Sequence, residues 1–313
     1  MSDNENKNNH LILKTAAGAL AIGTASYFGF SYYVFRDHFD LDHAVIQNRI
    51  PWTRSGNQAR NDTWMSKSVR DEEYLDSYDG LHLHALRITN HPESHRWIIA
   101  VHGSHSCGIE LGDYLYEFDQ KGFNLLAIDQ RGYGMSKGRY TGMGWPEHYD
   151  LISWINYLIN VDPDAEIVLF GISFGATAVM YACGDYLPAN VKCAVEDCGC
   201  SDVKNYIEQS ISSEYKVPGA PFISGIDFFV KQNLHYSLND VSVVRQVSQS
   251  RIPMMFIHGE SDTVIPARMV YDCYYACNAP KELFTAPGAG HAMSHTNVNY
   301  FPAMFGFLEK HLK

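Results

Sequence analysis

Three residues, far apart in the chain, have the types and settings that nucleophilic chemistry needs. Ser173 stands in Gly171-Ile172-Ser173-Phe174-Gly175, Asp262 in His258-Gly259-Glu260-Ser261-Asp262, and His291 in Pro287-Gly288-Ala289-Gly290-His291. A serine hydroxyl is a weak nucleophile at neutral pH, so it requires a base within hydrogen-bond reach and a third group that fixes the base's tautomer. Ser173 is the candidate nucleophile, His291 the base and Asp262 the orienting acid. Glu260 in the same loop and Asp197 at the end of an earlier apolar run are rival acids, and His258 and His295 are rival bases. Attack on a carbonyl also needs donors aimed at the developing oxyanion. The backbone N–H groups of Ser104, in His102-Gly103-Ser104, and of Phe174, directly after the serine, are the candidates.

Other motifs carry less. His291 and His295 have the spacing of two metal ligands on a helix, but Ala292 occupies the place where a metalloprotease carries its glutamate. Seven cysteines, an odd number, lack the paired C-x-x-C knuckles of a zinc ribbon, so unpaired buried thiols are expected and no metal. The segment Asp129-Gln130-Arg131-Gly132-Tyr133-Gly134 follows an apolar run as a dinucleotide loop does. Its glycine spacing does not give G-x-G-x-x-G, and we read it as a structural loop held by Asp129 and Arg131. No cofactor is expected. A formal charge of −11 and the lack of any Lys/Arg-rich run argue against nucleic acid as a partner; the expected partner is a small acyl substrate.

The serine motif lies between the apolar run Glu166–Phe170 and the helical pattern from Gly175, so a strand must deliver Ser173 and a helix must lead away. On such a tight turn the small residues two positions either side avoid a clash. Six further runs read as strands: Leu81–Ile88, Trp97–Val101, Phe123–Ile128, Val191–Val195, Met254–Ile257 and Glu282–Thr285, the serine strand being Ile167–Phe170. Helical patterns at Pro146–Ile159, Gly175–Tyr186, Pro266–Ala276 and Tyr300–Leu312 alternate with them. That rhythm predicts a mostly parallel, doubly wound α/β sheet whose strand C-termini gather the motif loops on one edge. Residues 201–250 hold amphipathic pieces broken by Pro218, Gly219 and Pro221 and read as a small helical cap. The cap aromatics Tyr215, Phe222, Phe228, Phe229 and Tyr236 suit an acyl pocket or a core equally well.

The N-terminal part divides into a polar tail (1–14), an uncharged segment (15–35) and a connector (36–71), with the catalytic unit at 72–313. The uncharged stretch is long enough, as a helix, to cross a bilayer. Lys7 and Lys14 before it put the N-terminus in the cytoplasm and the catalytic domain outside, so an uncleaved membrane anchor is expected. A cleaved signal peptide, giving a secreted enzyme, and an amphipathic helix packed on the domain are the alternatives.

Taken together, Val-His-Gly-Ser-His-Ser (101–106), Asp-Gln-Arg-Gly-Tyr-Gly-Met-Ser-Lys-Gly (129–138), Gly-Ile-Ser-Phe-Gly-Ala (171–176), His-Gly-Glu-Ser-Asp-Thr-Val-Ile-Pro (258–266) and Gly-Ala-Gly-His (288–291) resemble the α/β-hydrolase superfamily from about Glu72 onward. The arrangement is similar to that of bacterial membrane-anchored serine hydrolases. The resemblance implies Ser173, Asp262 and His291 as catalytic triad, in the chain order that fold uses, with Ser104 and Phe174 as oxyanion hole. It also sets the chain apart from dehalogenases and epoxide hydrolases, which carry aspartate where Ser173 stands. The function expected is cleavage of a carboxylic ester through an acyl-enzyme. A serine peptidase for short peptides and a non-catalytic, membrane-anchored interaction module are the alternatives, because fold alone does not choose the substrate.

Overall fold

The computed structural model of the protein describes residues 23–42 and 57–312. Its centre is an eight-stranded sheet. β1 (Arg70–Asp76) and β2 (His82–Ile88) form an antiparallel pair at one edge, and β2 pairs antiparallel with β4 (Asn124–Asp129). From there β3 (Arg96–Val101), β5 (Glu166–Ile172), β6 (Val191–Asp197), β7 (Met254–Gly259) and β8 (Lys281–Ala286) continue in parallel, in the order β1-β2-β4-β3-β5-β6-β7-β8. This is the α/β-hydrolase fold, and all seven expected strands lie within or beside observed ones.

The apolar runs are continuous because both sheet faces are covered. Alternate residues of each strand point to opposite sides. Thus Trp97, Ile99 and Val101 of β3 join Ile167 and Leu169 of β5 in one core layer, while Ile98, Ala100, Val168 and Phe170 join the other. The first layer packs under α4 (Trp145–Val161), α5 (Phe174–Cys183), α8 (Val243–Ser248) and α9 (Arg268–Ala276). The second packs under α2 (Gln58–Lys67), α3 (Gly112–Asp119) and α10 (Tyr300–His311).

Above the strand C-termini sit α6 (Val203–Tyr215) and α7 (Ile223–Leu234), the body of the cap. Both faces of its apolar core need cover, and α1, the helix over residues 23–39, supplies one of them. Val34, Phe35 and Phe39 of α1 are buried against Ile226 and Val230 of α7 and Ile207 and Ile211 of α6. The expected membrane anchor over 15–35 falls only in part on described residues. Residues 15–22 lie outside the described ones, and among the described residues no helix is long and apolar enough to cross a membrane. Over 23–39 the buried face of α1 packs on the cap, Phe28, Tyr32 and Tyr33 stay exposed, and the helix runs on past Arg36.

Candidate active site

β5 ends at Ile172, and the chain turns within one residue into α5. Ser173 occupies that turn with φ 56° and ψ −124°, a conformation that side chains rarely adopt, and its amide is held by the Asp197 carbonyl at 2.8 Å. The sharpness requires the flanking glycines. A Cβ on Gly171 would stand 2.5 Å from the Gly175 carbonyl oxygen, and one on Gly175 would fall on the carbonyls of Val101 and His102. The hydroxyl is thereby lifted off the strand edge.

It meets His291 there. Ser173 Oγ lies 2.9 Å from His291 Nε2, and His291 Nδ1 lies 2.7 Å from Asp262 Oδ2. A carboxylate only accepts, so His291 carries its proton on Nδ1 and leaves Nε2 to accept from the serine hydroxyl. Asp262 is fixed in turn: its Oδ1 accepts the amides of Val264 and Ile265 at 2.8 and 3.0 Å, and His258 Nε2 stands 3.2 Å from Oδ2. Bonds from the two histidines hold this carboxyl well below the usual carboxylate range, against the opposing effect of burial. Three side chains from loops after β5, β7 and β8 therefore form one hydrogen-bonded chain, able to draw a proton from the serine as it attacks.

The remaining candidates take other places. Glu260 accepts a bond from Thr285 on the exposed side of the loop, 2.8 Å long. Asp197 accepts from Ser294 and Tyr300, both at 3.0 Å, behind the site. His295 pairs with the Tyr114 hydroxyl at 2.9 Å. Asp129 accepts from the Gly108 and Met135 amides and from His84, and Arg131 bridges Asp150 and Asp79, so both tie turns together. All seven thiols are unpaired, six of them buried. Among the described residues the set able to converge on a metal is Cys198, Asp262 and His291. Two of these already bond each other, and burial holds the Cys198 thiol far above its ordinary range, so this donor set does not suit a cation.

The loop after β3 folds against the nucleophile. A Cβ on Gly103 would stand 3.0 Å from that of Ser173 and 3.6 Å from its hydroxyl, so the residue before Ser104 packs directly on the nucleophile. Phe174 is the first residue of α5, where an amide has no carbonyl partner within the helix. Ser104, Ser173 and Phe174 all line a cavity of about 240 Å³, together with Tyr133, Met143, Tyr206 and Val264 among others.

Two features of this cavity escape sequence reasoning. Asp37, His38, Asp40 and Leu41, at the end of α1, form part of its wall, although they precede Ser173 by more than a hundred positions. The cap aromatics Phe222 and Phe229 instead pack on α1, edge-on against Phe30 and tilted against Phe35, and Tyr236 bonds the Gly142 carbonyl, so they build the cap's own core. Only contacts between distant segments separate the two roles.

Comparison with known proteins follows the same lines. The sequence profile of a hydrolase family described as "Serine aminopeptidase, S33" matches residues 92–214. A Bacillus subtilis (strain 168) protein, YqkD, is 30% identical over 201 residues, covering 64% of this chain and 66% of that protein, so the match spans just under two thirds of the relative. Among solved structures, the Pyrococcus furiosus esterase Pf2001 superposes with a TM-score of 0.65 at 21% identity, over 79% of this chain and 94% of that one. A puromycin-hydrolyzing peptidase of Mycobacterium tuberculosis gives 0.62 at 19% identity, over 78% of this chain and 39% of the other.

Proposed function

We propose that this chain, a member of the α/β-hydrolase superfamily, is a serine hydrolase that cleaves carboxylic esters of small acyl groups through an acyl-enzyme. The observation that carries the reading is the continuous chain from Ser173 Oγ through His291 to Asp262, at the wall of a cavity. Ser173 attacks the carbonyl carbon while His291 takes its proton. The amides of Ser104 and Phe174 hold the oxyanion, and His291 returns the proton to the departing alkoxide. Water then repeats the sequence and frees the acid. Asp262 keeps its charge throughout and steadies the imidazolium.

Cavity size supports small acyl groups, since sites for drug-sized ligands begin at about 300 Å³. The family profile's description and the puromycin-hydrolyzing neighbour support a second reading, cleavage of a short amide or peptide at the same serine. A panel of p-nitrophenyl esters of rising chain length, run beside aminoacyl amides and dipeptides, separates the two. The expected result is fastest turnover on short acyl esters, with the Ser173→Ala variant lower by about 10⁴-fold or more in kcat. Turnover of amides alone would replace the ester reading, and equal rates for Ser173→Ala and wild type would remove both.

A further inference from the structure

His102 directly follows β3 and Gln130 directly follows β4, its parallel neighbour, so the oxyanion loop and the 129–138 loop leave the sheet side by side. A hydrogen-bonded clamp joins them. The Gln130 backbone amide donates to His102 Nε2 at 2.9 Å, His102 Nδ1 lies 2.6 Å from the Gly103 carbonyl oxygen, and the Gln130 side-chain amide donates to the His102 carbonyl. Both residues are buried, His102 completely. A backbone N–H only donates, so Nε2 carries no proton, and the neutral ring keeps its one proton on Nδ1, where it is donated to Gly103. Burial pushes this imidazole below its ordinary range, which preserves the neutral form at neutral pH.

The carbonyl of Gly103 and the amide of Ser104 belong to one peptide unit. In a trans peptide the C=O and the N–H point in opposite directions within one rigid plane, and the described residues contain no cis bond. Whatever grips the oxygen therefore aims the N–H. We propose that His102 is a positioning residue: held by Gln130 in its Nδ1-protonated form, it fixes the Gly103–Ser104 peptide plane so that the Ser104 N–H stays aimed at the substrate oxyanion. The inference rests on the serine-hydrolase reading, with Ser104 as an oxyanion donor. It also gives the 129–138 loop a part in the reaction, because Gln130 sets the tautomer on which the aim depends. His102 exchanges no proton during the cycle.

The test compares His102→Leu, which removes the donor, with His102→Asn, whose side-chain amide can place an N–H near the position of Nδ1. Both variants and the wild type are titrated to completion with a fluorophosphonate, then assayed on a short p-nitrophenyl ester and on the matching thionoester, whose sulfur accepts hydrogen bonds poorly. The expected result is full labelling of all three, with kcat on the ester lower in His102→Leu by about ten- to a hundredfold and KM little changed. The ester-to-thionoester rate ratio should fall by a similar factor, and His102→Asn should recover most of both. Should His102→Leu not fold, nitrogen NMR of isotope-labelled histidine in the wild type, assigned with His102→Asn, still decides: a neutral ring protonated on Nδ1 is expected. A wild-type kcat in His102→Leu, a lower kcat with an unchanged ratio, a His102→Asn no better than His102→Leu, or a ring protonated on Nε2 would overturn the assignment while leaving Ser173 in place. Failure of the wild type to label would remove the serine-hydrolase reading and this inference together.

Discussion

Behind the Ser173–His291–Asp262 chain, β6 ends in two adjacent buried acids. Asp197 is held by Ser294 and Tyr300, and burial still pushes it up to about 6. Glu196, completely enclosed, accepts the Gly199 amide through Oε2, at 2.9 Å, and is pushed up to about 8 from 4.5, chiefly by burial. The consequence for stability has a definite sign. Below 4.5 both the folded and the unfolded chain hold this proton, and nothing is lost. Between 4.5 and about 8 the unfolded chain ionises while the folded one does not, so stability falls as pH rises, and above that range the cost is constant. Glu196→Gln keeps an acceptor for Gly199 and abolishes the titration. Melting curves across pH should show the variant gaining on the wild type through that window, by an amount of the order of a few kcal/mol at its upper end. A difference that does not change with pH would contradict the buried, protonated Glu196.

At the scale of elements, the helix α1 decides how closed the site is. Phe35, 1% exposed, packs on Phe39, Tyr140 and Phe229, and the last turn of α1 with the residues after it brings Asp37, His38, Asp40 and Leu41 to the cavity wall. Asp40 is locked there by Arg36 and Arg139, with contacts of 3.0 and 2.8 Å. Truncating a buried phenylalanine costs about 3–5 kcal/mol. In Phe35→Ala that loss falls on the cap, not on the sheet, so the expected outcome is a raised KM for short esters, a smaller change in kcat and a lower melting temperature. Unchanged KM and melting temperature would mean that α1 does not shape the site. The same helix shows where sequence patterns stop being informative. Nothing in an uncharged run rich in Ala, Gly and aromatic residues says that Val34, Phe35 and Phe39 at and beyond its end pack on the cap, because that contact joins segments far apart in the chain. β1 was hidden for the opposite reason: Arg-Asp-Glu-Glu-Tyr-Leu-Asp has no apolar run, because an edge strand exposes most of its residues.

Across the whole molecule, what is legible in sequence is what a covered parallel sheet imposes on every strand. The central strands and the loops at their C-terminal ends follow from unbroken apolar runs, which is why Ser173, Asp262 and His291 can be named before any coordinates. The α1 residues of the cavity cannot, since their place in its wall comes from which distant segments touch. The sheet thus fixes the chemistry's location, and the less regular segments shape the space around it. The central claim is that the Ser173 hydroxyl, activated by His291, is the nucleophile. It is tested most directly by treating the intact protein with a fluorophosphonate and locating the adduct by peptide mass spectrometry. The account predicts a single adduct on the peptide carrying Ser173, absent in Ser173→Ala and strongly slowed in His291→Ala. An adduct on another residue, or equal labelling of Ser173→Ala, would contradict it.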